Sequence, residues 1–469
     1  MIVKHPREYV VDKLQYALNP KTIAVVGASR YSTKVGYKVV DGLLTWGYKG
    51  KIYPVNPRAD KVAGFTAYKT VKDIPDEIDL AFLAVPAHIV KSVLEDCVEK
   101  KVKIVVIATS AFKEIGRGTL QDELTQYCRD HELPLIGPNL VGMGSPYLNF
   151  NCGFIPYLPI KGPVAMISQS GANLLAALGT SQKDHFGMSF FVGLGNKADV
   201  DFCEFISYAG RDENSKCLAI YIEGLDSPDA FIEACRSVDK PIVIIKVGGS
   251  KIGEKAAFAH TASENKGTND AFYDDIFEKA GAIRATTWQE FLDISMALGM
   301  QPAPKGDNIV MITNGGGSGL LSCDHFERRG MPMHELAEIS PNLAGRIRAY
   351  MPMFGSPLNP VDISGTASPV QYKGAFTQVM RDPNVHGILG SICPTAVTDV
   401  PAVTNLVIDI YETYKHLGKP FIMECQGGEE CQEAIMKLRD HGIPAYPTAE
   451  QAVNAMVALY KYGQIKNKK

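Results

Sequence analysis

With 469 residues, 46% of them hydrophobic and 21% charged, the chain has the composition of a globular protein of about three domains, which excludes disordered and fibrous classes. Lys plus Arg is 48 against 51 for Asp plus Glu, a net charge of −3 with no long basic block, so nucleic acid is not an expected partner. No apolar run approaches the ~18 residues of a membrane span, and the opening MIVKHPREYVVDKL is charged where a signal peptide needs an apolar stretch. A cytoplasmic protein with no membrane partner is expected. The ten cysteines stand singly, and the closest pair, Cys425 and Cys431, has no ligand-spaced companion. They read as small core residues in a reducing compartment, without a metal site.

Strand-like runs alternate with helix-length segments along the whole chain. KTIAVVGAS (21–29), KGKIYPVNP (49–57), DLAFLAVP (79–86) and KIVVIATSAF (103–112) are near-continuous apolar runs, as parallel strands buried on both faces require. Segments such as KVGYKVVDGLLTWG and AHIVKSVLEDCVEKK carry apolar residues at helical spacing. This is a doubly wound α/β pattern, with a first domain over 1–145. A second series follows over 146–300, with GPVAMIS, SFFVGLG, CLAIYIEG and PIVIIKVGG. After the Pro-rich QPAPKGD at 301–307, a third occupies 301–469, with NIVMIT, HGILGSICP, PFIMECQGG and AYPTAEQAV. PVAMISQSGANLLAAL and NIVMITNGGGSGLLSCD form a faint internal repeat, although Gly/Ser turns between strand and helix converge on their own.

Gly27-Ala28-Ser29 follows the first strand, with Lys34 and Gly36 beyond it. Glycine admits a phosphate close to the backbone, a helix start supplies free N–H groups, and lysine adds charge. The dinucleotide fingerprint lacks two of its glycines, so a tight turn that binds nothing stays open. The same sheet end gathers Asn56, Pro86 and Ser110, where open α/β sheets bind ligands, and a phosphate-bearing cofactor suits it.

The sharpest signal is KVGGSKIGEKAAFAHTASENKG at 246–267, which leads from Gly248-Gly249-Ser250 to His260 among small residues. Histidine is nucleophilic when one ring nitrogen is free and the other is held, typically by a carboxylate. ISQSGANLL places Ser168, Ser170 and Gly171 at a strand-to-helix turn able to hold a phosphoryl group. YIEG puts Glu223 at a strand end, either fixing a histidine tautomer or facing water.

In combination and order, GAS, IYPVNP, GPN, SQSGA, GNKADVD, YIEG, GGS with AHT, TNGGGSG and LNPVD resemble the NDP-forming acyl-CoA synthetases of the succinyl-CoA synthetase superfamily, over essentially the whole chain. The resemblance implies a Rossmann-like CoA-binding domain followed by two flavodoxin-like doubly wound domains. It implies the reversible conversion of acyl-CoA, ADP and phosphate to carboxylic acid, CoA and ATP through an acyl phosphate and a phosphohistidine. His260 is then the phosphorylated residue, Glu223 its orienting carboxylate, and Ser168, Ser170 and Gly171 the phosphate-stabilising turn. Gly27, Ser29, Lys34, Asn56 and Pro86 would bind CoA, and Asn139 and Asn196 would lie near the acyl and phosphate chemistry. The family's SHTG is AHTA here, with Glu264-Asn265-Lys266 following, and Leu140 stands where the family often has cysteine. No ATP-grasp texture follows residue 450, so an α subunit is expected, with ADP/ATP and Mg²⁺ handled by a separate ATP-grasp β chain in an α2β2 assembly. Retention of His260 and Glu223 argues against a CoA-binding sensor without chemistry. IYPVNP, with no acidic residue closing its strand, argues against an NAD-dependent oxidoreductase.

Overall fold

The computed structural model describes residues 7–250, 252–253 and 270–468, which fall into two compact units, one up to Thr286 and one from Thr287.

The first sheet of the N-terminal unit contains β1 (Thr22–Val26) and β2 (Lys51–Val55). A small hairpin, β3 (Lys61–Val62) and β4 (Phe65–Thr66), follows, then β5 (Leu80–Leu83), β6 (Ile104–Ile107) and β7 (Leu135–Ile136). The main strands pair in parallel in the order β2-β1-β5-β6-β7. All four residues of β5 and of β6 are buried, because helices cover both faces. Helix Ala87–Glu99 buries Ala87, Val90, Val93, Leu94 and Cys97, the three- and four-residue spacing of an amphipathic crossover helix.

The second sheet comprises β8 (Gly142–Ser145), β9 (Phe150–Gly153), β10 (Lys161–Ser168), β11 (Met188–Gly193), β12 (Cys217–Ile222), β13 (Ile242–Lys246) and β14 (Ile283–Ala285). Its order is β14-β13-β12-β10-β11-β8-β9, with β8 and β9 added antiparallel at the edge. One apolar core runs through both sheets: Ile23, Val25 and Phe82 belong to the same cluster as Ala165, Ile167 and Val192. The segments 1–145 and 146–286 therefore form one packed body.

In the C-terminal unit, β15 (Ile309–Thr313), β16 (Val361–Asp362), β17 (Gly387–Ile392), β18 (Phe421–Cys425) and β19 (Ala445–Tyr446) pair in parallel in the order β16-β15-β17-β18-β19. The two similar strand–turn–helix segments each open a parallel set wound in this same 2-1-3-4-5 manner. Helix Trp288–Met300 belongs to the C-terminal unit. It packs on helix Ala449–Lys468, and the Tyr446 hydroxyl donates to the Asp293 carbonyl at 2.8 Å. AYPTAEQAV is strand only at Ala445–Tyr446 before that helix begins. No helix among the described residues is long and apolar enough to cross a membrane, and all ten cysteines are free thiols.

Candidate active site at the junction of the two N-terminal sheets

A cavity of about 690 Å³ opens where strand-end loops of the two sheets meet. The first sheet contributes Ala84, Val85, Thr109, Glu114, Asn139 and Leu140, and the second contributes Gln169, Ser170, Gly171, Asn196 and Glu223. Residues scattered over 140 positions of sequence thus face one space, at the carboxyl ends of parallel strands, where ligands of such sheets bind.

Asn139 takes a left-handed conformation (φ 64) and its backbone N–H donates to the Thr109 carbonyl at 2.9 Å. Its amide then reaches Asn196, donating to Oδ1 at 3.2 Å. Asn196 in turn donates to Glu114 Oε2 at 2.7 Å and Gln121 Oε1 at 2.9 Å. Gly195 precedes it at φ 56, and a Cβ there would lie 2.2 Å from the Pro138 carbonyl oxygen, so only glycine lets the two loops approach. Burial pushes the Glu114 carboxyl up. Donation from Asn196 and from the backbone N–H groups of Glu114, Phe112 and Ala111 outweighs it, and the group stays ionised below its ordinary range.

β10 ends in the Ser168–Gly171 turn. The buried Ser168 hydroxyl donates to the Ser170 carbonyl at 2.8 Å and accepts from the Ser170 N–H at 3.2 Å, so Ser168 shapes the turn while Ser170 and Gly171 line the cavity. Ser170 caps helix Gly171–Asp184 by accepting from the Asn173 N–H, and the 14-residue helix presents its positive end there. Across the cavity, Gln169 Oε1 accepts from the backbone N–H groups of Glu223 and Gly224 at 2.9 and 3.2 Å. This fixes the peptide that carries Glu223, which lines the cavity and is only 8% exposed. Burial, followed by the Glu223 charge, pushes the neighbouring Tyr221 up to about 12. Lys246, at the end of β13, is pushed down to about 8 by burial and Arg284, against the pull of Asp270 and Glu223, and its ammonium lies 4.3 Å from the centre of the Tyr273 ring. His260 lies outside the described residues.

The remaining first-sheet candidates surround the mouth of β1. Gly27 has φ 87, and a Cβ there would lie 2.4 Å from the Ala84 carbonyl oxygen. Asn56 donates to the Ala28 carbonyl at 2.6 Å and accepts from the Arg58 N–H, so it braces the Gly27–Ser29 loop. Ser29 Oγ accepts from the Tyr31 N–H at 3.1 Å. Lys34 and Pro86 are exposed and begin helices Val35–Thr45 and Ala87–Glu99. None of these five lines the cavity, although Val35 and Val85, next to Lys34 and Pro86, do.

The rest of GNKADVD ties the sheets together. The buried Lys197 ammonium pairs with Asp226 at 2.8 Å and Asp201 at 3.5 Å. Burial opposes its charge, yet the two carboxylates hold its pKa above the ordinary lysine value. Asp199 receives Arg7 at 2.6 Å and Arg129 at 2.7 Å. Sequence reading missed Glu114, Gln121 and Gln169. For Gln169 a signal existed, since it sits inside the quoted SQSG turn; Glu114 lies in the short turn Lys113–Ile115 and Gln121 in helix Gly118–Asp130, and only the fold brings them to Asn196.

Three family models match in succession: a CoA binding domain over residues 21–145, a succinyl-CoA ligase like flavodoxin domain over 161–298 and a ligase-CoA domain over 309–468. This series, the first two members of which contribute the residues that line the cavity, marks a CoA-dependent acid–thiol ligase. The chain is 39% identical over 463 residues to the alpha subunit of ADP-forming acetate–CoA ligase I of Pyrococcus furiosus, covering 97% of this chain and 99% of that one. It is 36% identical to the ADP-forming acetate–CoA ligase of Methanocaldococcus jannaschii, covering 97% of this chain but 64% of that longer one. It also superimposes on the acetyl-coenzyme A synthetase 1 of Ca. Korarchaeum cryptofilum, solved in complex with phosphate and ADP, with a TM-score of 0.92 and 35% identity over 97% of each chain. The chain belongs to the family of ADP-forming acyl-CoA ligase alpha subunits, whose members interconvert acyl-CoA, ADP and phosphate with carboxylic acid, CoA and ATP. The naming of such relatives as alpha subunits implies a separate partner subunit.

Proposed function

We propose that this chain performs the acyl half of the ligase reaction and passes a phosphoryl group through His260. The observation that carries the reading is the convergence of Glu223, the Ser170–Gly171 helix start, Asn139 and Asn196 on one cavity. CoA binds at the Gly27, Ser29, Lys34, Asn56 and Pro86 end of the first sheet, with its thioester directed into the cavity. Phosphate attacks the thioester carbonyl, the C–S bond breaks, CoA leaves as the thiol and an acyl phosphate forms. The imidazole of His260 then attacks phosphorus, the P–O bond to the acyl group breaks, and the carboxylate departs. Glu223 accepts the other ring N–H and stabilises the imidazolium as it forms. The helix start, held in shape by Ser168, offsets charge on the phosphoryl oxygens, while the Asn139 amide, held in place by Asn196 beside it, orients the acyl phosphate with its second N–H. The leucine at 140 lies in the cavity wall, where it borders the acyl group.

An ATP-grasp partner, assembled as α2β2, would present ADP, with Mg²⁺ to offset the charge of its phosphates, to the phosphohistidine. Ten free cysteines fit a cytoplasmic setting. The test is incubation of the reconstituted enzyme with radiolabelled phosphate and acyl-CoA. An acid-labile, base-stable label is expected on wild type and none on His260→Ala, with Glu223→Gln labelling slower by ~10²-fold or more. Equal labelling of His260→Ala, or ATP formation by the chain without its partner, overturns the reading.

A further inference from the structure

A second cavity, of about 230 Å³, lies in the C-terminal unit and is walled by Lys305, Arg381, His386 and Lys419 together with Pro383 and Val385. It sits at the amino ends of the sheet. Lys305 precedes β15, His386 immediately precedes β17, Lys419 precedes β18, and Arg381 closes helix Pro369–Arg381. Ligands of doubly wound sheets ordinarily bind at the opposite, carboxyl ends.

Its polar groups are arranged as donors. Lys419 gives one N–H to the Met380 carbonyl at 2.9 Å and another to the Asp382 carbonyl, which leaves the third for a guest. His386 Nδ1 accepts from the Asn308 N–H at 3.3 Å, so the ring proton belongs on Nε2, a further donor. Lys305 and Arg381 form no ion pair among the described residues. The nearby carboxylates are already engaged: Asp382 accepts from Ser340 at 2.7 Å and pairs with Arg346, and Asp307 pairs with His334 at 3.2 Å. Like charges crowd the wall, and burial together with the neighbouring Lys305 pushes Lys419 down to about 8 against the pull of Asp382. A cluster of cations whose neighbouring carboxylates, Asp382 and Asp307, are engaged by other partners is stabilised further by an anion.

We propose that this cavity binds a phosphoryl-type dianion, with Arg381 and Lys305 supplying charge and Lys419 and His386 Nε2 supplying directed hydrogen bonds. The volume sets the class of ligand. It falls below the ~300–1,000 Å³ of pockets that enclose whole drug-sized molecules, yet it exceeds several times the ~30 Å³ share of one water. A phosphate or diphosphate group fits, either free or at the end of a larger molecule.

Calorimetric titration of the full chain with inorganic phosphate, pyrophosphate and ADP tests this. Phosphate or pyrophosphate should show a binding event that persists in Gly171→Ala, which disturbs the helix start facing the other cavity, and weakens at least ~10-fold in Arg381→Gln/Lys305→Gln, as loss of charge-assisted contacts requires. Arg381→Glu should abolish it. Competition by ADP for the same event would place the group on a nucleotide, and absence of competition would make it the free ion. Both altered side chains are exposed, and an unchanged melting temperature without phosphate shows that the variant is folded. Equal affinity in wild type and the double variant, or no event in wild type beyond the one removed by Gly171→Ala, overturns the proposal. His260 labelling is independent of this result.

Discussion

Gly171→Ala adds one methyl group at the start of helix Gly171–Asp184, and the structure specifies what that methyl meets. The new Cβ would lie 2.5 Å from Val141 Cγ1, while the next atoms, Val141 Cγ2 and Cβ, lie at 3.5 and 3.6 Å. Valine is stiff at χ1, so either the helix start or the β8 approach must shift, and such overpacking costs ~1–3 kcal/mol. Helix propensity acts in the opposite direction, but Gly→Ala contributes at most ~1 kcal/mol, and less at the first helical position. A net loss of about 1–2 kcal/mol is therefore expected. Val141→Ala removes the clashing atom and by itself costs about 1 kcal/mol for a half-buried side chain losing two methyls. The double variant should then be more stable than the sum of the single effects by about 1–3 kcal/mol. Urea unfolding of the four chains measures this coupling, and acyl-CoA-dependent phosphate labelling in the reconstituted enzyme should fall in Gly171→Ala and recover in the double variant. Additive stabilities, or full labelling by Gly171→Ala alone, would refute the view that this close approach sets the phosphate-facing helix start.

Lys34→Ala should weaken CoA binding, with the deficit shrinking as salt rises, because an exposed lysine–phosphate contact is screened; calorimetry at two ionic strengths checks this. Lys197→Met strands Asp201 and Asp226 without their cation. Since Asp226 is 57% exposed and can rehydrate, the cost should fall near ~3 kcal/mol, the low end for a broken buried pair, and appear as a lower urea midpoint. Glu114 has a depressed pKa in the folded chain, so its stabilising contribution is complete above the ordinary glutamate value and is lost as pH falls through the depressed one. Glu114→Gln should flatten the acid limb of stability below pH ~4.5, and an unchanged acid profile would count against the Asn196–Glu114 link.

Much of this molecule was legible in one dimension. Strands buried on both faces leave uninterrupted apolar runs, so β1, β5, β6, β12, β13 and β17 stand out in sequence, and crossover helices betray their buried face by spacing. Turns that demand unusual backbone or a cap, at Gly27 and at Ser170–Gly171, are equally visible because the constraint is local. The β8–β9 hairpin, by contrast, is written in Gly142, Gly144 and Gly153, residues with no strand preference, and exists because the edge of β11 offers it hydrogen bonds. Helix Trp288–Met300 carries no mark of which unit it joins, since its nine buried residues specify only that something covers it. Glu114, Gln121 and Gln169 are ordinary polar residues until folding brings Asn196 and the Glu223 peptide within about 3 Å of them. The sequence by itself determined the elements and the chemistry available, because period, caps and residue type act over a few positions. Only the tertiary structure decided which of those groups share a cavity, because a hydrogen bond between residues 82 apart in the chain depends on how two sheets pack around one core.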